Sequence, residues 1–151
     1  MITGLGEDEN MKILVTGSKG FVGSETVPLL FEKGHEIVHY DLMGGGDIRD
    51  YKQFEDCIKE FKPNRILHLA AIARFSDADK DPWLAYETNV KGTENVAKVA
   101  GKHHIPIVYA STGSVYMPIH KDPPITEDFP TIGNSVYGVT KNLGELAIKK
   151  Y

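Results

Sequence analysis

From Met11 onward, short apolar runs alternate with longer stretches whose apolar residues return every three or four positions, the pattern of a parallel sheet covered by helices. Five strands are predicted, at 12–16, 36–40, a very short one at 47–48, 65–69 and 107–111. Helices are predicted at 21–33, 50–61, 82–103 and 135–150. Gly34 closes the first helix, and Pro106 opens the last strand where a missing N–H does no harm. Right-handed crossovers then give an α/β, Rossmann-type doubly wound parallel sheet of order 3-2-1-4-5, with helices on both faces.

The 151 residues suffice for one domain, expected at 11–151, preceded by a flexible acidic leader at 1–10 that could be an added remnant. Seventeen basic against 21 acidic residues give a net charge of -4 with no basic block, so nucleic acid is not an expected partner. No apolar stretch approaches the roughly 18 residues of a membrane helix, no signal pattern opens the chain, and Cys57 is its one cysteine. No membrane contact and a reducing, cytoplasmic location are expected. The loop from Tyr116 to Asn134, with four prolines, has no period, and loops of that length are usually functional.

The first strand runs into Thr16-Gly17-Ser18-Lys19-Gly20-Phe21-Val22-Gly23, a turn that opens a helix. Glycines let a diphosphate approach the backbone, and the helix start offers N–H groups and a favourable dipole. Such a turn alone is equally a tight strand-to-helix connection. Asp41, at the end of the second strand and 24 residues beyond Gly17, adds weight: its carboxylate can accept hydrogen bonds from an adenosine ribose and repels a 2'-phosphate. Leu42 follows where a phosphate site favours arginine, so NAD rather than NADP is expected. Without the glycines, Asp41 would read as a solvated loop acid.

The spacing of Gly17, Gly20 and Gly23 resembles that of the short-chain dehydrogenase/reductase superfamily, and more closely its extended branch, the NAD-dependent epimerase/dehydratase family. Asp47-Ile48-Arg49-Asp50 is similar to that family's adenine-contacting segment. His68-Leu69-Ala70-Ala71 is similar to its strand end beside the cofactor, and Asn89-Val90-Lys91-Gly92-Thr93 to its following helix. Ser111-Thr112-Gly113-Ser114-Val115-Tyr116 resembles the active-site strand, and Tyr137-Gly138-Val139-Thr140-Lys141 the catalytic helix. The likeness covers residues 11–151. It implies cofactor contacts from Gly17, Gly20, Phe21, Val22, Gly23, Asp41, Leu42, Asp47, Ile48, Leu69, Ala70, Ala71, Asn89, Ser111, Tyr137 and Lys141.

Tyr137 and Lys141 stand four apart and share a helix face. A phenol near pKa 10 is a poor base at neutral pH, but an adjacent ammonium and a positive nicotinamide ring favour its phenolate. Lys141 can also hold the nicotinamide ribose. Alone, the pair is equally an aromatic packed under a lysine stem. The resemblance puts Thr112 in the catalytic Ser/Thr position, hydrogen-bonding the substrate hydroxyl, with Ser111 as a cofactor or backbone contact. Asn89 orders backbone and water near the site or satisfies local backbone. Thr112, Tyr137 and Lys141 are thus the expected catalytic residues, and no metal site is expected. Family members that dehydrate sugar nucleotides carry an Asp-Glu pair after the threonine. Gly113-Ser114 stands there instead, disfavouring elimination and resembling 4-epimerases of uridine-diphosphate sugars.

His68 reads as a hydrogen-bonded core histidine, Cys57 as a small apolar filler and His103-His104 as helix-end residues. Gly44-Gly45-Gly46 replaces a helix between the second and third strands. Extended family members run about twice this length, so a fragment is expected, or a half-length form completed by another chain; the substrate-binding domain is absent. The resemblance implies a homodimer through helices at 82–103 and 135–150, and the exposed last strand also favours self-association. Three functions follow: an NAD-dependent nucleotide-sugar epimerase, with a UDP-sugar as partner; a reductase or dehydrogenase with the same machinery; or a non-catalytic NAD-binding module.

Overall fold

A computed structural model describes residues 10–116 and 125–151. The leader, save Asn10, and the middle of the proline-bearing loop lie outside the described residues. Four parallel strands, β1 (Lys12–Thr16), β2 (Glu36–Tyr40), β3 (Arg65–His68) and β4 (Ile107–Tyr109), form one sheet in the order β2-β1-β3-β4. This is the expected doubly wound order with its two-residue outer strand removed.

Asp47 and Ile48 are the correction. They form no strand, because local side chains take their polar groups: the Asp47 N–H donates to Gln53 Oε1 at 2.7 Å, and the Asp47 carboxylate receives the Arg49 backbone N–H and guanidinium. Ile48 is buried as a single apolar plug.

The helices are α1 (Phe21–Glu32), α2 (Tyr51–Phe61), α3 (Phe75–Lys80), α4 (Pro82–Tyr86), α5 (Thr93–His103) and α6 (Val136–Lys150). Asp50, Asp81 and Ser135 cap α2, α4 and α6 by accepting the N–H groups of Gln53, Leu84 and Gly138. The helix predicted at 82–103 is continuous but not uniform: Glu87–Gly92, between α4 and α5, is wound as a π-helix. Such bulges concentrate at functional sites.

Right-handed crossovers put α2 and α5 on one face of the sheet and α1 on the other. The first face holds the core. Leu14, Val38, Tyr40 and Ile66 of the strands meet Phe54 and Ile58 of α2 and Val96, Val99 and Ala100 of α5. Phe54 is fully buried, with its ring edge-on to Tyr40 at 5.1 Å, so truncating it to alanine would cost about 3–5 kcal/mol. On the α1 face Leu29, Phe31 and the β4 residue Val108 stay exposed. The carboxyl ends of β1, β2 and β3 converge on one edge, where ligands of open parallel sheets bind.

Candidate functional site

A crevice of about 580 Å³ opens at that edge. Its floor is the glycine turn. Gly17 has φ +68°, and a Cβ there would come within 2.7 Å of the Ala70 backbone nitrogen. A Cβ at Gly23 would overlap the Gly17 carbonyl, so the first turn of α1 can close on the strand end only as glycine. Among the described residues no side chain caps α1, and no acid sits in its first turn, which leaves its first N–H groups open to an anion.

Asp41, at the end of β2, forms the far wall. Its carboxylate accepts the Lys19 N–H at 3.0 Å and the Met43 N–H at 2.9 Å, leaving further acceptor lone pairs toward the crevice. Leu42, 63% exposed, stands beside it, and the nearby Arg49 has its guanidinium paired with Asp47. That pairing holds the Asp47 carboxyl below its usual range. Ile48 lies over Gly92, where a Cβ would meet its side chain at 2.7 Å. The third wall is Leu69, Ala70 and Ala71, leaving β3.

Of the sequence-expected cofactor residues, Gly17, Gly20, Phe21, Val22, Gly23, Asp41, Leu42, Asp47, Ile48, Leu69, Ala70 and Ala71 therefore line one crevice. Asn89, Ser111, Tyr137 and Lys141 do not line it. Asn89 is fully buried: its Oδ1 accepts the Ile72 N–H at 2.8 Å, and its Nδ2 donates to the Ile72 carbonyl and to Thr140 Oγ1, both at 3.1 Å. It pins the segment after β3 to α6 and meets the crevice only through Ile72. The Ser111 hydroxyl donates to the Glu145 carboxylate on α6. Arg74, Asp77 and Thr88 also line the crevice, and the sequence reading passed over them. Asp77 belongs to a helix too short to show a period, Arg74 is the residue just before it, and Thr88 belongs to the π-wound turn.

Thr112 starts a 3-10 turn at Gly113–Val115, accepting the Ser114 N–H at 3.2 Å. The start of α6 rests on that turn, since a Cβ at Gly138 would overlap the Ser114 carbonyl. Tyr137 thus sits beside the Thr112 turn, its ring edge-on to Phe75 at 5.2 Å. One turn further, Lys141 is buried, and burial brings its ammonium down from the ordinary lysine value to about 8, partly offset by Glu145.

A polar chain runs beneath. Thr16 Oγ1 accepts the N–H groups of Leu69 and Ala70, each at 3.2 Å, so its proton goes to His68 Nδ1, 2.6 Å away. His68 is then the tautomer protonated at Nε2, which donates to Thr93 Oγ1 at 3.0 Å. Burial, with Lys141 adding to it, lowers His68 to about 3, so the ring is neutral.

A doubly wound sheet with a glycine-floored crevice at a strand-order switch defines a nucleotide-binding class of α/β protein. The chain belongs to the family described as the RmlD substrate binding domain, whose model matches residues 11–151, in keeping with the extended short-chain dehydrogenase/reductase resemblance. The UDP-glucose 4-epimerase of Halalkalibacterium halodurans is 36% identical over 155 residues, covering 93% of this chain and 45% of that protein. The crystal structure of Thermus thermophilus UDP-glucose 4-epimerase complexed with NAD superposes with a TM-score of 0.86 at 29% identity, over 93% of this chain and 50% of that one. The Bacillus anthracis dTDP-4-dehydrorhamnose reductase complexed with NADP gives 0.84 at 27% identity, over 96% and 51%. The chain spans about half the length of the curated relatives it matches.

Proposed function

We propose that this chain carries the NAD site and the proton-transfer residues of an NAD-dependent nucleotide-sugar enzyme, a UDP-sugar 4-epimerase in the first place. The observation that carries the reading is the crevice bounded by the Gly17 turn and the Asp41 carboxylate. Its floor suits a diphosphate, and its far wall suits a ribose with a free 2'-hydroxyl. Phe21 and Val22 would flank the diphosphate, Asp47 and Ile48 the adenine, and Leu69 to Ala71 the inner ribose. A bound nicotinamide supplies the hydride acceptor and, for epimerisation, the hydride donor.

The chain's own residues move the proton. Tyr137 accepts it from a sugar hydroxyl as that carbon is oxidised, and Thr112 holds the same hydroxyl in line. Lys141 favours the phenolate by its charge and holds the nicotinamide ribose through its remaining donors. Asn89 and Ser111 act at one remove, through Ile72 and Glu145. With Gly113 and Ser114 after the threonine, no acid pair is present there for eliminating water.

A reductase is the second reading, supported by the Bacillus anthracis likeness. The same reading includes a homodimer and a cytoplasmic location. On α6, Val139, Leu143 and Leu146 form an exposed apolar stripe at helical spacing, and Trp83 of α4 is 68% exposed. Incubation with NAD and UDP-glucose, followed by separation of the two C4 epimers, tests the epimerase. Appearance of the epimer, lost in Tyr137→Phe, supports it. Net accumulation of reduced or oxidised product supports the reductase, and NAD binding without turnover supports a cofactor-holding module.

A further inference from the structure

An ammonium as buried as that of Lys141, 2% exposed, needs a counter-group, yet among the described residues no ion pair joins it. Glu145, one turn along α6, is engaged by the Ser111 hydroxyl. The ammonium lies instead over the ring of Tyr109, 4.0 Å from its centroid. That ring is held on two sides: it lies 5.4 Å from the His68 ring, and its hydroxyl donates to the Lys141 carbonyl at 3.4 Å. Room for it under α6 comes from Gly144, where a Cβ would overlap the phenol oxygen.

We propose that Tyr109 is a positioning residue for Lys141: the face of its ring, clamped between His68 and α6, holds the ammonium in place where a carboxylate would otherwise be required. A ring attracts a cation without taking its protons, so all three donors of Lys141 stay available for other acceptors. A carboxylate at that position would bind those donors. The groups facing Lys141 are Glu145 from α6, Tyr109 from β4 and His68 from β3, with Tyr137 one turn earlier on the same helix. The neutral His68 adds no repelling charge. Through the neighbouring His68 ring, which hydrogen-bonds Thr16, the Tyr109 ring is linked to the last residue before the glycine turn, so one buried chain reaches from the crevice floor to the ammonium.

The proposal rests on the reading of Lys141 as a working ammonium, but its test needs neither cofactor nor turnover. In the full chain with isotope-labelled lysine, NMR follows the Lys141 side chain, assigned by its disappearance in Lys141→Met. Fluorinated phenylalanines placed at position 109 drain the ring face in steps while keeping its shape. The Lys141 titration midpoint is expected to fall stepwise with fluorination, by about one pH unit in all. Its ring-current shift should survive in Tyr109→Phe and vanish in Tyr109→Leu. A midpoint indifferent to fluorination, or a side chain without a ring-current shift, overturns the proposal even if Tyr109→Leu fails to fold. Failure to bind NAD would overturn the cofactor reading and leave this result standing.

Discussion

The carboxylate of Asp41 accepts the backbone N–H of Lys19 at 3.0 Å, joining the end of β2 to the glycine turn across 22 residues of sequence. One acid therefore shapes the turn and forms the opposite wall of the crevice. The Gly17 N–H, donating to the Tyr40 carbonyl at 2.9 Å, makes the reciprocal link.

Gly17→Ala should destabilise the fold by at least about 2 kcal/mol, since it combines a positive φ with a Cβ driven into the Ala70 backbone. Gly45→Ala is the control: φ is +83° but none of the described residues would lie within 4 Å of its Cβ, so only the conformational cost of about 1 kcal/mol applies. Urea unfolding of both variants checks the difference, and equal losses would refute the close approach.

Asn89→Ala strands the Ile72 N–H and carbonyl and leaves Thr140 without its donor, inside the protein. A loss of about 2–4 kcal/mol is expected by denaturant titration. A loss below about 1 kcal/mol would mean that the segment after β3 is held by other contacts.

Burial lowers Lys141 from 10.5 to about 8. Between those values the unfolded chain holds a proton that the folded chain has released, so this group makes stability rise with pH through that window. Below it the buried charge is a constant burden. Lys141→Met should therefore be more stable than the parent at pH 7, by on the order of 3 kcal/mol, with the gain shrinking from pH 8 to 10.5. Melts at pH 7 and 10 measure it, and a gain that does not change with pH would contradict it.

The apolar stripe of Val139, Leu143 and Leu146 should mediate self-association. Sedimentation at rising concentration is expected to show a dimer that Leu146→Lys weakens by tenfold or more. A monomer at all concentrations would remove the dimer from the account.

The sheet was legible because its strands carry apolar runs bounded by glycine, proline or acid, and the crevice because glycines and Asp41 mark both its ends. His68 proved the hydrogen-bonded core histidine its strand position suggested, fully buried between Thr16 and Thr93. Cys57 packs against the core, its thiol pushed up to about 11 by burial. Gly34, at φ +88°, ends α1. What failed was short or three-dimensional. Asp47 and Ile48 carry a strand-like pair of residues, but two residues cannot outbid Gln53 and Arg49 for the backbone and carboxylate. The six residues of α3 hold too few apolar positions to show a period. The π-winding at Glu87–Gly92 hardly disturbs apolar spacing, so Thr88 gave no sign of facing the crevice. Nor could any spacing pair Tyr109 with Lys141, 32 residues apart.

Calorimetric titration with NAD and NADP, on the parent chain and on Asp41→Asn, tests the central claim most directly. The account predicts saturable one-to-one binding of NAD, binding of NADP at least about tenfold weaker, and a narrowing of that gap in Asp41→Asn as the carboxylate's repulsion is lost. No heat with either dinucleotide, or binding of NAD untouched by the substitution, would contradict it.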